Sequence, residues 1–169
     1  VWDTEPGQPI LDLKGHTADV MSLAISADDR RLATGGWDQT IRLWDSQTGE
    51  SVAVWKTRSK INALAFSPDA KMLVFSQVNP GSGQDLHVLS MEGGYGSKPL
   101  LHERFHEGSP ALSPDGRWIA YRSDETGPFE IYVRPFPNVD EGKSQISTNG
   151  GTAPMWASSG RELFYRAGN

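Results

Sequence analysis

One strand–turn–strand register recurs four times along this 169-residue chain. The copies are SLAISADDRRLATGG (22–36), ALAFSPDAKMLVFSQ (63–77), PALSPDGRWIAYRSD (110–124) and PMWASSGRELFYRAG (154–168). Their turns start at Ser26, Ser67, Ser113 and Ala157, so the steps are 41, 46 and 44 residues. A unit of that length cannot bury its apolar face alone. The chain is therefore constrained to an array of stacked units.

The turns have a physical basis. Pro fixes φ near −65°, Asp bonds local backbone, and Gly accepts positive φ. The flanking strands are rich in β-branched and aromatic residues. A third strand follows each of the first three copies at 40–45, 85–90 and 130–136, and a fourth at 50–56, 99–105 and 143–148. Four antiparallel strands at this period make a propeller blade, so the predicted class is all-β. No sustained apolar stripe of helical period occurs, which predicts essentially no helix. The fourth copy stops after two strands. Val1–Thr4 and about Pro9–Leu13 read as its missing third and fourth strands. The predicted blades are thus about 16–56, 57–105, 106–148, and 149–169 plus 1–15.

Composition narrows the function classes. The chain has no cysteine, which removes disulfide and thiolate chemistry. Its net charge is −5 and no basic stripe is present, which argues against nucleic acid as a partner. No run of 18 apolar residues exists, so membrane insertion is not expected. The sequence begins at Val1 rather than Met and reads as a processed or excised piece.

Residues 1–56 resemble the WD-repeat family. Gly15-His16, the run GGWDQTIRLWD and Trp44-Asp45 carry the match. The resemblance implies a buried hydrogen-bonded network of His16, Thr34, Asp38 and Trp44, structural rather than catalytic. Residues 61–169 instead resemble TolB-like propeller repeats, through SPDGRWIAYRSDETGPFEIYVRPFP and NGGTAPMWASSGRELFYR. Similar wording occurs beside bacterial serine/threonine kinases and in periplasmic proteins, which implies a bacterial cytoplasm or periplasm. Here Phe75, Tyr121 and Tyr165 occupy the register of Thr34, so these blades are expected to be held by packing.

Catalytic patterns are weak. HERFH (102–106) is literally H-E-x-x-H, whose zinc chemistry requires a helix. On the outer strand expected at Leu100–Phe105, residues four apart lie about 13 Å apart, too far to share a metal. No G-x-S-x-G elbow is present, so the chain holds no hydrolase nucleophile of that type. The acidic turns lack a calcium-loop ligand series, and the Gly-rich segments 81–84 and 92–98 lack a GK[ST] motif. The expectation is no enzyme, no metal and no cofactor.

Binding is the remaining class. Trp37 lies in the loop before Asp38, on the rim shared with the Gly15-His16 loop, and Trp is enriched among contact anchors. Arg58, Lys60, Arg104 and His106 would add a cationic rim favouring acidic peptides or carboxylates. The primary reading is a non-catalytic scaffold for a protein or peptide partner. The alternatives are a ligand-sensing or gating propeller of a bacterial kinase or peptidase, and a self-assembling or engineered propeller fragment. Four blades alone leave wide wedges about an axis, so a homodimer completing an eight-blade ring is also expected.

Overall fold

The computed structural model describes residues 1, 7–8, 10–79, 81, 83–92 and 96–168. Fourteen strands run in chain order: β1 (Val20–Ile25), β2 (Arg31–Gly36), β3 (Thr40–Asp45), β4 (Ser51–Lys56), β5 (Ile61–Phe66), β6 (Met72–Asn79), β7 (Gly83–Ser90), β8 (Ser97–Leu101), β9 (Gly108–Leu112), β10 (Trp118–Ser123), β11 (Glu130–Pro135), β12 (Ser144–Gln145), β13 (Gly151–Trp156) and β14 (Leu163–Ala167). Among the described residues a single 3₁₀ turn spans Val139–Glu141. Three antiparallel sheets of four strands, each in sequential order, are followed by a two-stranded sheet of β13 and β14. The innermost strands touch in succession, β1 with β5, β5 with β9 and β9 with β13. These are radially arranged propeller blades.

The middle blade is buried on both faces, and strand periodicity divides its side chains between two cores. Leu73 and Phe75 of β6 and Leu89 of β7 pack toward the first blade, with Ile41, Leu43 and Trp55. Val74, Leu86 and Val88 point the other way and meet Ile119, Tyr121 and Tyr132 of the third blade. The sequence MLVF therefore reads as one continuous apolar run because alternate residues serve opposite seams.

The repeated turn is a small hydrogen-bonded device. Ser26, Ser67 and Ser113 each donate from Oγ to the Asp two residues on, all at 2.6 Å. The same hydroxyls accept the backbone N–H five residues on, from Arg31, Met72 and Trp118 at 2.9–3.0 Å. Ser and Asp at these positions thus tie each first strand to its second. The residue that closes the turn has positive φ in all four copies, at Asp29, Ala70, Gly116 and Gly160.

Three expectations change. The outer strand expected across Leu100–Phe105 is β8, Ser97–Leu101, because His102 and Glu103 leave the ladder for side-chain partners in the neighbouring strands. The third blade is held by more than packing. Arg134 lies opposite Ile119 as Trp44 lies opposite Leu32, so it takes the position of the WD tryptophan. There Arg134 Nε donates to Tyr121 Oη at 2.8 Å, and its Nη2 pairs with Glu103 at 2.5 Å. Finally, the described part of Pro9–Leu13 carries no strand, and β13 and β14 remain a two-stranded sheet. Residues 2–6 and 9 lie outside the described residues, and with them most of the strand expected at Val1–Thr4.

Leu11 and Leu13 instead line a cavity with Val20, Leu23 and Trp44, on the flank of the first blade. The Val1 amine bonds the Leu11 carbonyl at 2.8 Å. Both ends of the arc are apolar and open: Leu23 is 60% exposed at one end, and Met155 63% and Phe164 52% at the other.

Candidate functional site

The loops that lead from one blade to the next share a rim with the β2–β3 and β6–β7 turns. Two polar constellations sit on this rim, one in the first blade and one in the second.

In the first blade His16 bridges Thr34 and Asp38. Its Nδ1 lies 2.8 Å from Asp38 Oδ2 and its Nε2 2.7 Å from Thr34 Oγ1. Trp44 Nε1 donates to the same Thr34 oxygen at 2.8 Å. One proton arrangement satisfies every member: Nδ1–H donates to the carboxylate, Thr34 O–H donates to Nε2, and Trp44 N–H donates to Thr34. Asp38 also accepts from the Thr17 amide at 3.0 Å and the Thr40 hydroxyl at 2.8 Å. Burial raises the Asp38 pKa, but the bonds from Thr40, Thr17 and His16 outweigh it and bring it to about 2. All four residues expected in the network are joined. Their polar atoms are engaged with one another, which suits a brace between the entering loop and the sheet.

In the second blade a different set takes over. His87 occupies the place of Arg42 and stacks on Phe75, with ring centroids 5.4 Å apart. Its Nε2 lies 3.2 Å from the Gln77 amide nitrogen. Burial, outweighing the nearby Asp85 charge, lowers the His87 pKa. Asp85, fully buried, accepts from Asn79 Nδ2 at 2.5 Å and His102 Nδ1 at 2.6 Å. A cavity of about 340 Å³ opens here, bounded on the first-blade side by Lys56, Thr57 and Arg58. Sequence reading missed His87, Gln77, Asn79 and Asp85. Their signal was polar residues within otherwise apolar β6 and β7.

The rim residues fall into two groups. Trp37, 40% exposed, carries Lys60 over its ring at 4.4 Å, and its Nε1 donates to Asn62 Oδ1 at 3.4 Å. Arg58 belongs to the same connection, at the cavity wall. Arg104 and His106 sit in the next connection, with Arg104 5.1 Å over the Phe105 ring and His106 edge-on to Phe129 at 6.5 Å. Within HERFH, the two histidines turn to different neighbours, Asp85 and Phe129, in an irregular loop. No group of three metal-ligating side chains occurs among the described residues.

Beside this loop Glu107 is 1% exposed, and neither carboxyl oxygen completes a hydrogen bond. Burial, with the charges of Glu103, Asp85 and Asp124, pushes its pKa from 4.5 up to about 8. The folded chain therefore holds this proton where the unfolded chain has lost it. The resulting contribution to stability is full below about pH 4.5 and declines as pH rises to about 8. Glu107→Gln is expected to raise the melting temperature by on the order of 5 °C at pH 8 and hardly at pH 4.5. Calorimetry across that range checks it.

With this geometry in place, the comparisons with known proteins fall into line. Residues 7–45 match the family described as WD domain, G-beta repeat. The chain is 36% identical over 107 residues to eukaryotic translation initiation factor 3 subunit I of Debaryomyces hansenii, covering 60% of this chain and 31% of that protein. It is 30% identical over 105 residues to the ribosome biogenesis protein BOP1 homolog of Arabidopsis thaliana, covering 62% of this chain and 14% of the relative. The chain thus spans about a third or less of the length of these relatives. In fold it is similar to the Cps50 (Swd1) β-propeller domain of Myceliophteria thermophila, with a TM-score of 0.81 at 17% identity over 98% of this chain and 54% of that one. It is also similar to TolB of Acinetobacter baumannii, with a TM-score of 0.71 at 20% identity over 90% of this chain and 39% of TolB. Both the WD-like and the TolB-like resemblance therefore lead to the propeller fold. These two sequence relatives are eukaryotic, and the expected bacterial attachment finds no support in them; the TolB likeness is one of fold.

Proposed function

We propose that this β-propeller arc, whose first blade matches the WD repeat, is a non-catalytic scaffold that presents its loop-bearing rim to a protein or peptide partner. The observation that carries this reading is Trp37. It is a large aromatic side chain, 40% exposed, steadied by Lys60 at 4.4 Å and by Asn62. A rigid, half-exposed indole backed by a cation is suited to anchor a contact. One of the sequence relatives is named as a subunit of an initiation factor, which agrees with a role in assembly. A homodimer also belongs to this reading: the apolar ends at Leu23 and at Met155 and Phe164 are surfaces that a second copy would cover.

The test is quantitative capture of proteins by the immobilised chain. A partner of the rim is expected to fall at least fivefold with Trp37→Ala/Lys60→Glu. Its capture is expected to be unchanged with Glu162→Lys, in the exposed β13–β14 turn on the opposite rim. The reading is overturned when no captured protein distinguishes these two variants.

A further inference from the structure

The polar cavity of about 340 Å³ lies in the seam between the first two blades. Its volume is at the lower end of the range that takes small molecules. The first blade and its connection supply Lys56, Thr57 and Arg58 to it, and the second supplies Gln77, His87 and His102. A smaller cavity of about 220 Å³ adjoins it and shares Lys56, Thr57 and Ser97. Ile41, Phe75 and Leu89 of the smaller cavity are buried to 1% or less, so they offer a ligand almost no apolar surface.

We propose that the polar cavity binds a small hydroxylated organic acid, its single carboxylate on Lys56 and Arg58 and its hydroxyl groups on His102 and Gln77. Trp37 does not line this cavity, and the inference does not rest on the scaffold reading.

Charge sets the head group. Lys56 and Arg58 are exposed and make no ion pair or side-chain hydrogen bond among the described residues. Burial lowers the His87 pKa, and Arg58 and a protonated His102 lower it further against the opposing pull of Asp85. Arg58 and the two imidazoles thus bear on one space. Two cations over one buried carboxylate, Asp85, leave an excess of positive charge. A single carboxylate balances it, whereas a phosphate dianion overshoots and an ammonium is repelled. The planar Arg58 fork also matches both oxygens of a carboxylate.

Hydrogen bonding sets the body. His102 Nδ1 donates to Asp85 Oδ2 at 2.6 Å, which leaves the lone pair of the neutral ring on Nε2. The Gln77 amide nitrogen is engaged with Asn79 Oδ1 at 2.9 Å and His87 Nε2 at 3.2 Å, and its Oε1 has no partner among the described residues. The first-blade side of the cavity therefore offers donors and the second-blade side acceptors. Hydroxyl groups satisfy those acceptors. A hydrocarbon body leaves them without donors and finds little apolar surface in exchange. The bonds to Asp85 and Asn79 hold the acceptors in place before a ligand arrives, which favours binding.

The experiment is a titration of the full 169-residue chain with glucuronate, and separately with gluconate, followed by calorimetry and by NMR at the His102 ring. Saturable binding with shifts at His102 is expected for at least one of these acids. Affinity is expected to fall about tenfold or more in Arg58→Glu and in Lys56→Glu, both at exposed positions. Arg161→Glu makes the same change of charge in the exposed β13–β14 turn and is expected to stay within about twofold of the unaltered chain. Glucose, which lacks the carboxylate, and hexanoate, which lacks the hydroxyl groups, are each expected to bind about tenfold or more weakly than the better acid. Absence of saturable shifts with both acids overturns the inference, as does equal weakening by Arg58→Glu and Arg161→Glu. Inorganic phosphate binding as tightly as the better acid overturns the carboxylate assignment, and hexanoate doing so overturns the hydroxylated body.

Discussion

Trp44→Ala is expected to cost about 4 kcal/mol of unfolding free energy, a large share of the ~5–15 kcal/mol typical of a natural domain. The indole is 2% exposed and closes one end of the His16 network. Its loss removes a large buried ring and leaves a void continuous with the flank cavity lined by Leu11, Leu13 and Leu23. Trp44→Phe separates the terms. It keeps much of the buried area and deletes only the donor to Thr34, so about 1 kcal/mol is expected. Urea unfolding of both variants checks the ratio. Equal losses would mean that the bond to Thr34, and not the packing of the ring, carries the stabilisation.

Arg134→Met is expected to be of similar size, about 3–5 kcal/mol. Arg134 is 7% exposed and joins Tyr121 Oη, the Val139 carbonyl at 3.2 Å and Glu103. Methionine fills much of the volume but supplies no donor, so a buried phenol and a carboxylate lose their shared partner. The diagnostic is the double variant Arg134→Met/Tyr121→Phe. Removing the stranded hydroxyl as well is expected to return about 1 kcal/mol relative to Arg134→Met alone, because the phenol is then no longer buried without its donor. Simple additivity of two losses would contradict a shared network.

These two predictions mark what the sequence made legible. Trp44 was readable because its partners lie within one blade and follow a known spacing, His16, Thr34 and Asp38 all preceding it by 28 residues or fewer. The strands and turns were readable for the same reason: alternation and Ser-x-Asp turns are local, and β3 falls at Thr40–Asp45 as its pattern indicates. Arg134 was not readable. Its partner Glu103 lies 31 residues away in another blade, and no local period links a basic residue at the tryptophan register to an acid in an irregular loop. The seam cavities were hidden in the same way. They arise where His87 replaces Arg42 in register and where β8 ends at Leu101, both consequences of pairing between strands. Trp37 and Lys60 were each visible as rim residues, but their stacking needed the two loops to meet across a seam.

The central claim is an open arc: among the described residues, three blades and a half-blade, with the N-terminal ones lying on the flank of the first blade. The repeat register supplies a direct test. If the N-terminus completed the last blade, Val1 would take the place of Leu43 and Phe164 that of Ala33, and those positions are directly opposed in the first blade. The chain has no cysteine of its own, so Val1→Cys/Phe164→Cys reports on this pair alone. The measurement is disulfide formation within the monomer under mild oxidation. The account predicts that both thiols stay free of each other, because among the described residues β14 pairs with β13 alone. A rapid and complete intramolecular disulfide would place the two residues within the ~4.4–6.8 Å that the bridge requires and would contradict the open arc.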